Sequence, residues 1–156
     1  MGWKKEDILI YTNFGFAYGD FKTKVLSDVE FFERKPQASK INAIVNLFEN
    51  GLIAKEELYW FHDLDAFQLE SIKPKEINIK KNEIALTDFG GARHFAGTDR
   101  WNAGSIFFKL GSRDIFEKMK KKYYEKQCDE EEALGLLAVI DSKLKKRVKK
   151  INISYN

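Results

Sequence analysis

Short apolar runs alternate along the chain with amphipathic segments of helical period, and this alternation limits the available folds more than any other feature. Ile8-Leu9-Ile10-Tyr11-Thr12 is a nearly continuous apolar run, the pattern of a strand covered on both faces. Residues 40–50 place Ile41, Ile44, Val45 and Phe48 at i, i+3, i+4 and i+7. With Pro36 and Ser39 ahead and Gly51 behind, that spacing predicts a helix. Residues 57–61, 83–87 and 103–108 read as further strands, with a short one at 77–79 inside the polar connection 69–82. A helix opens at Ser112, with Ile115, Phe116 and Met119 on one face. The next opens at Asp129, whose step to Glu132 is a D-x-x-E capping pattern, and carries Ala133, Leu136, Leu137 and Ile140 as its apolar stripe. A final strand is expected at 151–153. Strands alternating with helices predict an α/β fold with a mostly parallel sheet.

Composition narrows the class further. At 156 residues the chain has the size of one domain, 1–156, able to bury its own core. Its 27 basic and 24 acidic residues nearly cancel, which excludes a general polyanion binder; the basic excess is local, in residues 143–150. That run reads as a solvated helix end, or as a steering patch for an anionic acceptor such as nucleic acid or a phospholipid surface. One cysteine, Cys128, permits no internal disulfide and fits a reducing compartment or simple indifference to redox. The first residues are charged where a signal peptide needs an apolar core, and no apolar run approaches the roughly 18 residues of a membrane span. A soluble, cytoplasmic protein without a transmembrane segment is expected.

The residues that bear chemistry fall in four places. Tyr59-Trp60-Phe61-His62-Asp63-Leu64-Asp65 is an apolar strand running into two acids at i, i+2. In extended backbone those side chains share a face, so Asp63 and Asp65 aim at one point beyond the strand's carboxyl end. Ligands of open α/β sheets bind at that edge, and paired carboxylates suit a hard cation, Mn²⁺ or Mg²⁺. Strand alternation turns His62 away from that face. Trp101-Asn102-Ala103-Gly104 enters the strand 103–108 with no turn cluster: Asn102 offers both a donor and an acceptor, and Gly104 marks a bulge or a close backbone approach. Asp129-Glu130-Glu131-Glu132 sits at a helix start, where acids favour the dipole and where one of them can serve as a base. The loop 13–20 carries Phe14, Phe16 and Tyr18, which either stack on a base or plug the core.

Taken in order, these features resemble the glycosyltransferases of the A-type (GT-A) fold. The resemblance is carried by Ile8-Leu9-Ile10-Tyr11-Thr12, Ser39-Lys40-Ile41, Trp60-Phe61-His62-Asp63-Leu64-Asp65-Ala66, Asn102-Ala103-Gly104, Asp129-Glu130-Glu131-Glu132-Ala133-Leu134 and the closing Ile151-Asn152-Ile153-Ser154-Tyr155-Asn156. It spans nearly the whole chain and implies a Rossmann-like sheet flanked by helices. It also implies metal-dependent transfer of a sugar from a nucleotide-sugar donor, a UDP- or GDP-sugar. Asp63 and Asp65 would hold Mn²⁺ or Mg²⁺ against the diphosphate. Tyr11 and Thr12 would meet base and ribose, Lys40 would contact the donor, and Asn102 with Gly104 would shape the sugar pocket. Asp129 or Glu130 would approach the transferred sugar or act as the catalytic base. The pattern's third metal ligand, often a histidine, has no matching position; His94, Arg93 and Arg100 are the nearby candidates for reaching the site.

Two other readings use the same residues. A catalytically inactive relative would bind or scaffold without turnover. A phosphohydrolase of the haloacid dehalogenase type also places D-x-D after an apolar strand. Its pattern wants Thr or Val where this chain has Phe67, and sets the motif on the first strand rather than mid-chain.

Overall fold

In the computed structural model the described residues are 3–63, 72, 75–88 and 101–152. They form an α/β arrangement with two sheets. The smaller pairs β1 (Leu9–Thr12) with β2 (Lys22–Val25) in parallel. The larger has four strands, β3 (Tyr59–His62), β4 (Ile84–Asp88), β5 (Trp101–Phe108) and β6 (Val148–Ile151), in the spatial order β3-β5-β4-β6. Helices α1 (Ser39–Glu49), α2 (Arg113–Lys126) and α3 (Glu130–Ile140) and a single turn, α4 (Ser142–Lys145), complete it.

The larger sheet is mixed rather than mostly parallel. β5 lies between β3 and β4 and runs against both, and only β4 and β6 are parallel. Apolar content reports that a strand is buried, not which way it runs, so the runs at 57–61, 83–87 and 103–108 could not reveal the direction of β5.

One face of the larger sheet is covered by helices. Ile41, Ile44, Val45 and Phe48 of α1 meet Ile84, Leu86, Ile106 and Phe108 of the sheet, joined by Ile115, Phe116 and Met119 of α2 and Leu134 and Leu137 of α3. The opposite face buries Ala85 and Phe107 under Ile77 and Ile79, with Trp60 at its edge. Ile77 and Ile79 are buried as their apolar alternation suggests, but they form no strand: the Ile79 N–H donates to the Ile77 carbonyl at 3.0 Å in a tight turn. α3 also departs from its expected stripe. Ala133, Leu134, Leu137 and Ala138 are buried, whereas Ile140 is exposed.

The basic run 143–150 is not one solvated helix end. Its first part is α4, and β6 begins at Val148, three residues before the expected strand. Arg147 makes a bidentate pair with Asp114, at 2.7 and 2.6 Å, Lys149 bridges to Glu83 at 3.3 Å, and Lys150 lies 5.6 Å over the Trp101 ring. Much of this charge therefore ties β6 to its neighbours. The loop after β1 leaves Phe14, Phe16 and Tyr18 exposed, so these rings do not plug the core. Among the described residues no helix is long and apolar enough to cross a membrane.

Candidate functional site

The site begins with a fault in a strand. On β4, Leu86 faces Ile106 of β5, but the next residue, Thr87, faces Asn102. Residues 103–105 are thus extra on the β5 side, a bulge that frees backbone groups from the ladder. An odd number of inserted residues also reverses the facing of the strand. Ile106 and Phe108 join the helix-side core with even numbers, Trp101 and Ala103 with odd ones.

Side chains from three elements close on that bulge. On β3, Tyr59 and Phe61 pack toward the helices, so Asp63, two residues on, emerges on the same side beyond the strand's carboxyl end. Its N–H donates to the Gly104 carbonyl at 2.9 Å, which anchors it to the bulge. Lys40 comes from the first turn of α1. Its ammonium donates to Asp63 Oδ2 at 2.8 Å and to the Ala103 carbonyl at 3.2 Å, lies 3.0 Å from Glu130 Oε1, and sits 5.8 Å from the centre of the Phe61 ring. Glu130 and Glu131 come from the first turn of α3, and Glu131 Oε1 accepts the Ala103 N–H at 3.0 Å. The Asn102 Oδ1 accepts the Gly104 N–H at 2.8 Å, bracing the bulge from within. The backbone groups of Ala103 and Gly104 are thus satisfied by the residues that make the site.

The electrostatics are unusual for their depth. The Lys40 and Glu130 side chains are 7 and 5% exposed, and that of Asp63 is 33% exposed, open toward solvent. Burial disfavours the ammonium, but the charge of Glu130 and the hydrogen bond and charge of Asp63 outweigh it, so the Lys40 pKa is held above its usual value. Among the described residues the Lys40 ammonium pairs with two carboxyl groups, Asp63 and Glu130, while Glu131 binds the Ala103 N–H of the same bulge. Glu130 Oε2 is buried with no hydrogen-bond partner among the described residues.

The sequence-derived candidates divide accordingly. Lys40, Asp63, Asn102, Gly104 and Glu130, spread over ninety residues of chain, are linked through one hydrogen-bonded cluster. Asp129 stands beside it but caps α3, its Oδ1 accepting the Glu132 N–H at 2.7 Å. Tyr11 and Thr12 lie outside the cluster. The Tyr11 hydroxyl donates to Asn46 Oδ1 at 3.1 Å, midway along α1, and burial with the nearby Glu30 charge pushes it up to about 12. Thr12 Oγ1 donates to the Phe14 carbonyl. His62 is on the opposite face, its ring edge-on to Trp60 at 4.5 Å. Asp65, Arg93, His94 and Arg100 lie outside the described residues.

Two participants went unassigned by the sequence. The Ala103 backbone carries no side-chain signal at all. Glu131 was visible only as one member of an acidic run, and its distinction comes from the bulge it satisfies. Among the described residues no three carboxylate, imidazole or thiolate groups converge closely enough to hold a metal ion by themselves. No known protein family, curated protein or solved structure matches this chain.

Proposed function

We propose that the protein is a metal-dependent glycosyltransferase that uses a nucleotide-sugar donor, with its donor site at the β5 bulge. The observation that carries this reading is the convergence of Lys40, Asp63, the Asn102–Gly104 step and Glu130, four separate motif positions of the resemblance, at the carboxyl end of β3. A site for a charged ligand must bring carboxylates and a cation together against low-dielectric walls, and these segments do so.

The donor chemistry at Asp63 fits Mn²⁺ or Mg²⁺. Such an ion commonly takes one or two carboxylates and completes its shell with phosphate oxygens and water, so it does not need three protein ligands. Asp63 already holds one cation, the Lys40 ammonium, on Oδ2, and is partly open to solvent. Asp63 with Asp65 would hold the ion, and when bound it would offset the negative charge developing on the departing nucleoside diphosphate. Lys40 orients the Asp63 carboxylate and adds positive charge beside the diphosphate. Glu130 is fixed through Oε1, and its Oε2, buried and without a hydrogen-bond partner among the described residues, would accept a sugar hydroxyl once the site opens to admit the donor. With the carboxyl of Asp129 committed to its cap, Glu130 is the stronger candidate for the base.

The test is release of nucleoside diphosphate from UDP- and GDP-sugars with Mn²⁺ or Mg²⁺ present. Turnover should fall on chelation and drop at least about 100-fold in Asp63→Asn and Glu130→Gln, the scale expected for loss of a charge-stabilising or proton-transferring group. Donor-independent background in all three proteins would reject the assignment. One observation favours a second reading. Lys40 joins α1, β3, β5 and α3 at a single ammonium, which is also how a purely structural clamp would be built. In that case the variants would lose stability without any catalytic rate to lose.

A further inference from the structure

A groove of about 510 Å³ runs between α2 and the turn joining α3 to α4. Its walls include Lys118, Lys121 and Lys122, which share one side of α2 by their i, i+3, i+4 spacing, and Lys143 of α4. The two acids in the lining are engaged: Glu125 lies 3.9 and 3.0 Å from Lys121 and Lys122, and Asp141 lies 3.1 Å from Lys118. Four cations against two carboxylates leave the groove with an excess of two positive charges. Ile140, at the end of α3, also lines it and is 70% exposed, and Val139, the residue before it, is 62% exposed. The stripe expected of α3 would have buried Ile140. Its exposure beside a lysine cluster gives this face both positive charge and aliphatic surface.

We propose that this groove docks the protein on an anionic phospholipid surface, with Val139 and Ile140 entering the headgroup layer and the four lysines facing lipid phosphates. The composition selects lipid over the alternatives. Interfaces between proteins are depleted in lysine and enriched in arginine and aromatic residues, and this patch is lysine with aliphatic side chains. A nucleic acid backbone would satisfy the lysines but offers nothing to an exposed valine and isoleucine. A bilayer boundary supplies both, since anionic headgroups attract lysines and the acyl boundary accepts apolar side chains. The contact is peripheral. It lies at the far end of α3 from Glu130, about 15 Å away along the helix, so it leaves the β5 bulge free and stands whether or not the donor-site reading holds.

The experiment is co-sedimentation of the full chain with vesicles of phosphatidylcholine alone or mixed with phosphatidylserine, at low and high ionic strength. Binding should require phosphatidylserine and weaken with salt. The variant Lys121→Gln/Lys143→Gln should bind roughly 25-fold more weakly, at about fivefold per lysine. Val139→Asn/Ile140→Asn should lose about tenfold through its apolar contact. These positions are on the surface, and an unchanged melting temperature verifies that each variant is folded. Failure of the wild type to bind phosphatidylserine vesicles at low salt would overturn the proposal. So would equal binding by both variants, or capture by heparin or single-stranded nucleic acid that does not depend on Val139 and Ile140.

Discussion

Lys40 is the residue on which most of the site depends. A buried ion pair adds little net stability over a well-packed apolar replacement, but removing one partner strands the others. Lys40→Met leaves Glu130, whose Oε2 already has no partner among the described residues, without its cation. It should cost about 3–5 kcal/mol in urea unfolding, and adding Glu130→Gln should recover part of the loss. A cost within about 0.5 kcal/mol of zero, typical of surface changes, would mean that the buried cluster is not formed in solution. Gly111 is a second sensitive position. A Cβ there would sit 2.6 Å from the Lys81 carbonyl oxygen, a backbone atom with little freedom to move. Gly111→Ala should therefore destabilise by about 1–3 kcal/mol, against the gain usual for such a change in a permissive site. A melting temperature at or above wild type would contradict that close approach.

At the scale of elements, β6 is held by the Arg147–Asp114 fork to α2 and by its parallel ladder to β4. The hydrogen bond from Arg147, and next its charge, overcome partial burial and hold the Asp114 carboxyl below the usual carboxylate range. A depressed pKa in the folded state means that the pair stabilises above the unfolded value, near 3.9, and that this is lost as pH falls through the folded value. Asp114 is partly exposed, so the contribution is modest, about 0.5–1 kcal/mol. Asp114→Asn should accordingly be less stable than wild type at pH 7, and the two unfolding curves should converge below about pH 4. A gap that persists unchanged in acid would assign the effect to packing rather than charge.

How far the elements could be read in advance depended on what each segment had to signal. α1 was legible to within a residue at each end, because its four apolar positions and Gly51, at φ 64°, leave little choice. β2, with its Lys-Thr-Lys-Val sequence, carries no apolar signal because it is half exposed. The end of α3 was misread because Leu136 and Ile140 match the helical period, while the core is reached from Leu134, Leu137 and Ala138 instead. The shared facing of Tyr59, Phe61 and Asp63 followed directly from strand alternation. Gly104 in a strand pattern marks a bulge or a close backbone approach, and the register shift bears out the bulge; its length and the odd-to-even shift between Ala103 and Ile106 are fixed by pairing with β4, which single-sequence patterns do not contain.

For the whole molecule, the central claim is that the cluster around Lys40 is a ligand site rather than only a clamp. Its members come from the first turns of two helices, one strand end and one strand fault, so a ligand bound there would bridge most of the fold and raise its stability as a unit. The most direct measurement is thermal unfolding against UDP, GDP and their sugar conjugates, each with and without Mn²⁺, in wild type and Asp63→Asn. A ligand at about 100 times its dissociation constant adds roughly 2.7 kcal/mol, or a rise of roughly 5–10 °C for a domain of this size. Such a rise is expected for one nucleotide class, dependent on Mn²⁺ and absent in Asp63→Asn. No rise with any donor in the presence of Mn²⁺, or a rise that Asp63→Asn retains, would contradict the central claim.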